Sequence, residues 1–286
     1  MSVLIDAHMH FWDPRRWDYP WLRQLPAIDR PFLPADIEST VDAVIFVEAG
    51  GGNGDPEQEV TWVEELAARS PVVAGILAHA PLEHGADAAA IVERLGRRPL
   101  IKGIRRNLQD EPAGFAVSPR FRQGVGLLAA QGLVADLCVR DWQLPEVTEL
   151  AKATPHVTFV LNHAGKPGVR SGQWQPWADD LARLAELPNV FVKLSGLATE
   201  ANWLAWTQRQ VAPYLAHALA AFGSQRCMFG GDWPVSTLAT GYGQWRDVVA
   251  DVVGTRTPAE QALVFSGVAQ QVYGLEVIRG TATDPR

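Results

Sequence analysis

The chain has 286 residues, of which 47% are hydrophobic and 20% are charged, so it is long enough to bury a large core. It carries 25 Lys and Arg against 32 Asp and Glu, and the net charge of −7 argues against a polyanionic partner such as nucleic acid. The sequence shows no secretory leader, no apolar run long enough for a membrane span and only two cysteines, which predicts a cytoplasmic enzyme with a small-molecule substrate.

Eight short apolar runs predict strands, and each is followed by a segment of helical composition. The predicted strands are residues 3–7, 43–48, 72–78, 100–105, 133–139, 157–162, 190–194 and 227–231. The predicted helices are residues 56–69, 86–95, 119–130, 144–153, 177–187, 204–222, 242–253 and 258–266. This alternation predicts an α/β fold, a single (β/α)8 TIM-like barrel over residues 1–286 with a loose tail from residue 274. A doubly wound open sheet has the same local pattern and remains the alternative.

The longest connections follow the first strand and separate the seventh from the eighth. Loops after the C-terminal ends of barrel strands usually hold the substrate. Most of the tryptophans lie in segments that follow strands, and packing is the usual role of tryptophan. Trp12 and Trp142 are nevertheless predicted to contact substrate, because flat aromatic faces at a pocket mouth suit a ring-shaped polar ligand.

Polar side chains end every predicted strand, and a closed barrel would bring them to one mouth. They are His8, His10, Glu48, His79, Arg105, Arg106, Arg140, Asp141, His163, Ser195 and Asp232. Scattered in unrelated loops, the same residues would carry little meaning. The predicted topology therefore locates the candidate active site. His79 and Lys193 are interpreted as structural residues rather than catalytic ones.

His8 and His10 are two residues apart, so on a strand both side chains point to one side and can chelate a divalent ion. Asp232 on the last strand would lie beside them and is the candidate for proton transfer. The structural alternatives are two hydrogen-bonded histidines at the start of a loop and a turn aspartate before Pro234.

His163 lies in VLNHAGKPG, where a buried strand runs into Gly and Pro, so its ring is expected at the barrel rim. It would bind metal or polarise a carbonyl, and Lys166 and Arg105 are candidates for holding an anionic or oxygen-rich substrate. Alternation along the strand allows one of Arg105 and Arg106 into the pocket. Glu48 is either a further metal ligand or a hydrogen-bond partner of the histidines.

The segments IDAHMHFWDP, VTFVLNHAGKP, VFVKLSGL and CMFGGDWPV resemble, in this order, the amidohydrolase-2 family, and most closely its sugar-lactonase branch. The resemblance covers essentially the whole chain. It implies a distorted barrel that opens an aldonolactone, such as L-fucono- or L-rhamnono-lactone, with water. It further implies Asp232 as general base and acid, catalytic His163, and substrate contacts from Lys166 and Arg105.

The resemblance also bears on the metal. Binuclear members of the superfamily carry a histidine on the fifth strand, and LVADLCVRD has none. At most one divalent ion, zinc first, is therefore expected, with His8, His10, Asp232 and less firmly Glu48 as ligands. Metal-independent activity remains open, since members of this branch differ in metal use.

Three other functions remain alternatives. A dicarboxylate or muconolactone hydrolase would require several arginines around the pocket, for which Arg105, Arg106 and Arg140 are available. A decarboxylase has the same barrel. A non-catalytic carbohydrate-binding protein is disfavoured because the histidines and Asp232 are all present. Whether the chain forms a homo-oligomer is not decided by the sequence.

Overall fold

The computed structural model describes residues 3–37 and 39–276, so most of the predicted C-terminal tail lies outside the described residues. Eight strands form one sheet in the order β1 to β8, and each strand pairs in parallel with the next. The strands are β1 Ile5–Met9, β2 Ala43–Val47, β3 Val73–His79, β4 Ile101–Asn107, β5 Val134–Cys138, β6 Phe159–Leu161, β7 Val190–Leu194 and β8 Cys227–Phe229.

The first and last strands meet at their C-terminal ends. His10 N donates to Trp233 O and Asp232 N donates to His8 O, both at 2.8 Å. These bonds nearly close the barrel, and the predicted (β/α)8 fold is confirmed over the open-sheet alternative. The closure lies at the mouth, beside the residues that form the candidate site.

Helices follow the strands and begin at residues that suit a helix N-terminus. The helices are α1 Pro56–Ala67, α2 Ala89–Gly96, α3 Pro119–Ala130, α4 Leu144–Ala153, α5 Trp177–Ala185, α6 Gln208–Phe222, α7 Tyr242–Val253, α8 Pro258–Ala262 and α9 Val268–Val272. Asp55 accepts a hydrogen bond from Glu57 N, and Ser118 accepts one from Phe121 N. These caps satisfy amide groups that a first helical turn leaves unpaired.

Two predicted helices begin too early. The helix predicted from residue 204 begins at Gln208, because Thr207 forms a capping box with Gln210. The helix predicted from residue 86 begins at Ala89, since residues 82–88 form a kinked 3₁₀ segment. No helix in the part of the chain that the structure describes is long and apolar enough to cross a membrane.

Buried apolar side chains form two clusters. The larger cluster fills the layer between strands and helices and includes Phe46, Phe121 and Leu181. The smaller cluster consists mainly of strand residues on the opposite face, so it fills the barrel interior. Its members are Ile5, Ala7, Ala43, Ile45, Val47, Leu77, Val134, Val160 and Met228, with Val268, Ala269 and Tyr273 from the C-terminal segment.

An irregularity in β1 determines which side chains enter the interior. Asp6 pairs with Val44 and Met9 pairs with Phe46, so β1 has one more residue than β2 between these pairs. Such a bulge changes the alternation of faces along a strand. Ala7 lies in the interior cluster, and the next residue, His8, also contacts an interior side chain. The bulge therefore brings the His-x-His pair into the barrel mouth.

Candidate active site

Three buried side chains at the ends of β1 and β8 form a compact cluster. His8, His10 and Asp232 have relative exposures of 0%, 6% and 4%. The Nε2 atoms of the two histidines are 3.1 Å apart. Asp232 Oδ1 lies 3.6 Å from His8 Nε2 and 3.7 Å from His10 Nε2. The barrel closure thus brings together three side chains from opposite ends of the sequence.

The two histidines are held by different partners. His10 Nδ1 lies 2.8 Å from Val47 O, and because a carbonyl only accepts, the Nδ1 of His10 carries the hydrogen. His8 Nδ1 lies 3.2 Å from Lys193 Nζ. Burial lowers the pKa of His8 well below its usual value, and the Lys193 charge acts in the same direction. His8 is therefore neutral at neutral pH.

Lys193 belongs to a fully buried polar network formed by residues of β5, β7 and the turn directly after β6. Its Nζ lies 2.6 Å from Asp136 Oδ2, and both side chains have no exposed surface. Asn162 Nδ2 donates to Asp136 Oδ1 at 2.7 Å. Burial lowers the pKa of Lys193, and the Asp136 carboxylate opposes this effect. The predicted structural role of Lys193 agrees with this ion pair, although the sequence did not identify Asp136 as its partner.

His163 lies at the C-terminal end of β6 in a strained turn. Its φ is 52°, in the left-handed region, and Ala164 and Lys166 also have positive φ. Its Nδ1 lies 2.9 Å from Ser195 Oγ, and its Nε2 lies 3.9 Å from Asp232 Oδ1. Gly196 packs under the ring, where an added Cβ would lie 2.4 Å from His163 Nδ1. This turn aims the ring at Asp232.

His163 and Asp232 have different charge states at neutral pH. Burial lowers the pKa of His163 to about 3, so at neutral pH the ring is a neutral hydrogen-bonding group. Burial alone would raise the pKa of Asp232, but nearby groups, among them His163, His10 and Lys166, lower it overall. Asp232 is therefore an ionised carboxylate.

Arg105 is 7% exposed and lies near Glu48. Its Nη1 donates to Glu48 O at 3.3 Å, and its Nε lies 3.8 Å from Glu48 Oε1 without a hydrogen-bond partner. Glu48 thus contacts Arg105 and does not belong to the cluster of His8, His10 and Asp232. The sequence-predicted fourth metal ligand is placed beside a cation instead.

Arg106 points away from the site. Its guanidinium pairs with Glu83 at 2.9 Å and with Glu111 at 2.5 Å. Alternation along β4 separates it from Arg105, as the sequence predicted without deciding which of the two enters the pocket.

Lys166 ends the turn that follows β6 and is held by two polar partners. Its Nζ donates to Gln109 Oε1 at 2.6 Å and lies 3.5 Å from Glu200 Oε1. Burial alone would lower the pKa of Lys166, but nearby groups, among them Cys138, Glu200 and Asp232, raise it overall. Lys166 is therefore an ammonium at neutral pH.

A cavity of about 410 Å³ opens above these groups at the barrel mouth. Five of the predicted site residues other than Glu48 line it, namely His10, Arg105, His163, Lys166 and Asp232. The remaining wall, which we call the cavity rim, consists of Trp21, Leu25, Glu48, Ala49, Gly50, Asn107, Gln109, Asp110, Cys138, Thr199 and Val235. The volume suits a small ring-shaped polar molecule.

Neither tryptophan predicted to contact substrate lines this cavity. Trp12 has no exposed surface, donates its Nε1–H to Ile28 O at 3.2 Å and packs edge-on against Trp21. Trp142 is 46% exposed and lies outside the cavity wall. Trp21 lines the cavity instead, and the buried Trp12 ring packs against it on the side away from the cavity. A pattern of tryptophans after strands does not distinguish a wall residue from the residue that supports it.

Several wall residues were not singled out by the sequence. Gln109 and Asn107 supply amide groups, and Thr199 supplies a hydroxyl. Asn107 ends β4, Gln109 follows it, and Thr199 lies in the loop after β7, positions that a predicted barrel mouth makes available. Polar loop residues are common, however, so only the three-dimensional arrangement separates them from solvated side chains.

The cluster of His8, His10 and Asp232 fits one divalent metal ion. Two imidazole nitrogens and a carboxylate oxygen form a donor set that zinc uses in catalytic sites. Ligand distances of about 2.1 Å in a tetrahedral site place donor atoms about 3.4 Å apart. The observed separations of 3.1, 3.6 and 3.7 Å agree with that spacing. Three protein ligands leave a position for another molecule.

Comparison with known proteins identifies relatives over nearly the whole chain. The family model described as Amidohydrolase matches residues 5–275. An L-fucono-1,5-lactonase of Burkholderia multivorans is 34% identical over 96% of this chain and 97% of its own length. An L-rhamnono-gamma-lactonase of Scheffersomyces stipitis is 27% identical over 50% of this chain and 48% of its own length.

Solved structures agree with these sequence matches. A crystal structure of an amidohydrolase from Burkholderia multivorans with bound zinc has a TM-score of 0.85 at 33% identity, covering 96% of this chain and all of that one. A probable 2-pyrone-4,6-dicarboxylic acid hydrolase from Acinetobacter baumannii has a TM-score of 0.74 at 16% identity, covering 96% of this chain and all of that one. At that identity the second likeness supports the fold alone.

Proposed function

Because the chain belongs to the amidohydrolase family, we propose that it is a lactonase, a carboxylic-ester hydrolase that opens the ring of a sugar-acid lactone. The observation that carries the proposal is an ionised, buried carboxylate, Asp232, beside three imidazoles at the wall of a cavity of about 410 Å³. The relative named L-fucono-1,5-lactonase supports an aldonolactone such as L-fucono- or L-rhamnono-lactone as substrate.

Asp232 is the general base in this proposal. Its carboxylate takes a proton from water, and the hydroxide oxygen forms a bond to the lactone carbonyl carbon. The tetrahedral intermediate then collapses with cleavage of the bond between that carbon and the ring oxygen. Asp232 returns its proton to the departing ring oxygen. The product is a hydroxy acid, which ionises at neutral pH and releases one proton to the solution.

The carbonyl oxygen gains negative charge during this reaction and requires hydrogen-bond donors. Arg105 has an unpaired Nε and Lys166 is a half-buried ammonium, and both line the cavity. His163 contributes a neutral ring that can donate from Nε2. The nearby Asp232 carboxylate favours a hydrogen on Nε2, and Nδ1 accepts from Ser195. Donors fixed before the reaction stabilise such an oxyanion at low reorganisation cost.

A divalent ion held by His8, His10 and Asp232 would supply Lewis-acid polarisation of the carbonyl and would acidify water. Arg105 and Lys166 provide positive charge at the cavity independently of it. Asp232 is suited to proton transfer in either case, because its Oδ1 lies within 3.9 Å of all three imidazoles.

The cavity wall favours a sugar-derived ring over a dicarboxylate. Of the three arginines near the barrel mouth, Arg105 lines the cavity, whereas Arg106 pairs with glutamates and Arg140 pairs with Asp110 at 3.0 Å. The amide groups of Asn107 and Gln109 can bind hydroxyl groups. A doubly charged substrate in this cavity would contact one arginine rather than three.

The test is a panel of aldonolactones, a pyrone dicarboxylate and a hydroxybenzoate, each in weakly buffered pH indicator with the purified enzyme. We expect acidification with one or more aldonolactones, at a rate proportional to enzyme concentration and above spontaneous hydrolysis. Metal content is measured on the same preparation. Turnover of the dicarboxylate alone, or release of CO₂ from the benzoate, would replace the proposal with the corresponding alternative.

A further inference from the structure

The two histidines of the metal-ligand cluster present their Nε2 atoms in opposite hydrogen-bonding states. A metal ligand must offer a lone pair at Nε2, so its hydrogen must lie on Nδ1, where a carbonyl or carboxylate normally accepts it. His10 follows this arrangement through Val47 O at 2.8 Å. His8 does not, because the group facing its Nδ1 is the Lys193 ammonium at 3.2 Å.

The surroundings of Lys193 hold it as a donor. An ammonium has three hydrogens and no acceptor site. Asp136 Oδ2 takes one of these hydrogens at 2.6 Å, and Asn162 donates to the other Asp136 oxygen. With Lys193 and Asp136 both fully buried, another hydrogen of Lys193 is directed at His8 Nδ1. His8 Nδ1 therefore accepts, and the ring hydrogen lies on Nε2.

This tautomer gives the metal-free cluster a complete hydrogen-bond pattern. The Nε2–H of His8 points toward His10 Nε2 at 3.1 Å, where the Val47 contact has left a lone pair. Asp232 Oδ1 is the alternative acceptor at 3.6 Å. Lys193 thus donates to Asp136 and to His8, His8 donates to His10, and His10 donates to Val47 O. Each donor has an acceptor, and no two donors face each other.

We propose that Lys193 is a positioning residue that holds His8 in the Nε2–H tautomer, and that it thereby weakens zinc binding by the cluster of His8, His10 and Asp232. Zinc binding through His8 then requires the loss of the Lys193 to His8 hydrogen bond as well as of the His8 to His10 bond. The ammonium also places a positive charge close to the site of a dication. This inference concerns metal affinity and does not depend on which substrate the enzyme uses.

The test compares zinc affinity in wild type, Lys193→Gln and Lys193→Met, measured by competition with a chelator of known affinity. A glutamine oxygen at this position can accept from His8 Nδ1–H while its amide donates to Asp136. We expect zinc affinity about 10-fold or more above wild type for Lys193→Gln, within the range that outer hydrogen-bond partners of metal ligands produce. Methionine removes the charge without supplying an acceptor, so its gain should be smaller.

Equal affinity in all three proteins, or equal gains in the two variants, would overturn the tautomer assignment. A measurement on the wild type covers the case in which a variant does not fold. Histidine-ring ¹⁵N–¹H spectra of zinc-free enzyme, assigned by comparison with His8→Gln, should show His8 with its hydrogen on Nε2 and His10 with its hydrogen on Nδ1. A hydrogen on His8 Nδ1 would contradict the proposal whatever the zinc affinities are.

Discussion

The barrel interior changes character within two residues along the same strands. Val134 on β5 belongs to the interior apolar cluster, and Phe191 on β7 packs against it. Two residues further along each strand, the inward side chains are Asp136 and Lys193. Apolar side chains tolerate many neighbours of suitable volume. A buried charge requires one partner at one distance. Substitutions of equal size should therefore be mild in the apolar layer and severe in the polar one.

The largest expected effect is on catalysis at the mouth. Asp232→Asn keeps the shape of the side chain but removes the proton acceptor, so lactone turnover should fall at least about 10³-fold, or about 4 kcal/mol. The rate of acidification with the best aldonolactone measures this loss. Asp247→Asn, a surface change on a side chain that is 66% exposed, should stay within about twofold of wild type. More than a tenth of wild-type activity in Asp232→Asn would remove Asp232 from its assigned role.

The second effect is on stability, and it differs between the polar and the apolar layer of the barrel interior. Asp136→Asn preserves volume but leaves the Lys193 charge without its carboxylate, which should lower the free energy of unfolding by about 3–5 kcal/mol. Met228→Leu in the interior apolar cluster also preserves volume and should cost less than about 1.5 kcal/mol. Urea denaturation of both variants gives the two values. Similar losses would mean that the two layers are equally tolerant.

Adjacent arginines on β4 provide a third, smaller contrast. Arg105→Met removes an unpaired donor from the cavity wall and should lower kcat/KM about 10- to 100-fold, or about 1–3 kcal/mol. Arg106→Met should leave kcat/KM within about threefold and lower stability by about 1 kcal/mol, since it loses the pairs with Glu83 and Glu111. Steady-state kinetics on an aldonolactone distinguishes the two. A larger loss of kcat/KM for Arg106→Met than for Arg105→Met would show that Arg106, and not Arg105, faces the cavity.

The last prediction concerns the pH dependence of stability. Glu59 is buried below the cavity rim and accepts from Ala49 N at 3.1 Å and Gly51 N at 2.8 Å. Burial, with the nearby Glu48 charge, raises the pKa of Glu59 from 4.5 to about 8. The folded protein then holds this proton more tightly than the unfolded chain, so the stability it adds is complete below pH 4.5 and is lost as the pH rises through about 8.

Glu59→Gln should remove that part of the pH dependence. The free energy of unfolding of wild type should decline relative to the variant as the pH is raised from 5 to 9. Urea denaturation at several pH values gives the difference between the two proteins. Parallel curves over this range would show that Glu59 titrates as it does in the unfolded chain.

The sequence by itself determined the barrel, because strand and helix patterns are local and eight alternating pairs leave few topologies. It also identified the residues that end the strands, and six of them, His8, His10, Glu48, Arg105, His163 and Asp232, gather at the mouth. The helix starts at Ala89 and Gln208 were predicted too early, since composition alone does not locate a cap.

Only the tertiary structure decided how the polar groups pair. The pairing of Lys193 with Asp136 joins two strands, and the bulge in β1 that turns His8 inward depends on the register with β2. The choice between Arg105 and Arg106 depends on the phase of β4, and the burial of Trp12 depends on the fold of a long loop. Hydrophobic patterning repeats along the chain and can be read locally, whereas a hydrogen bond or ion pair depends on one distance between residues that folding brings together.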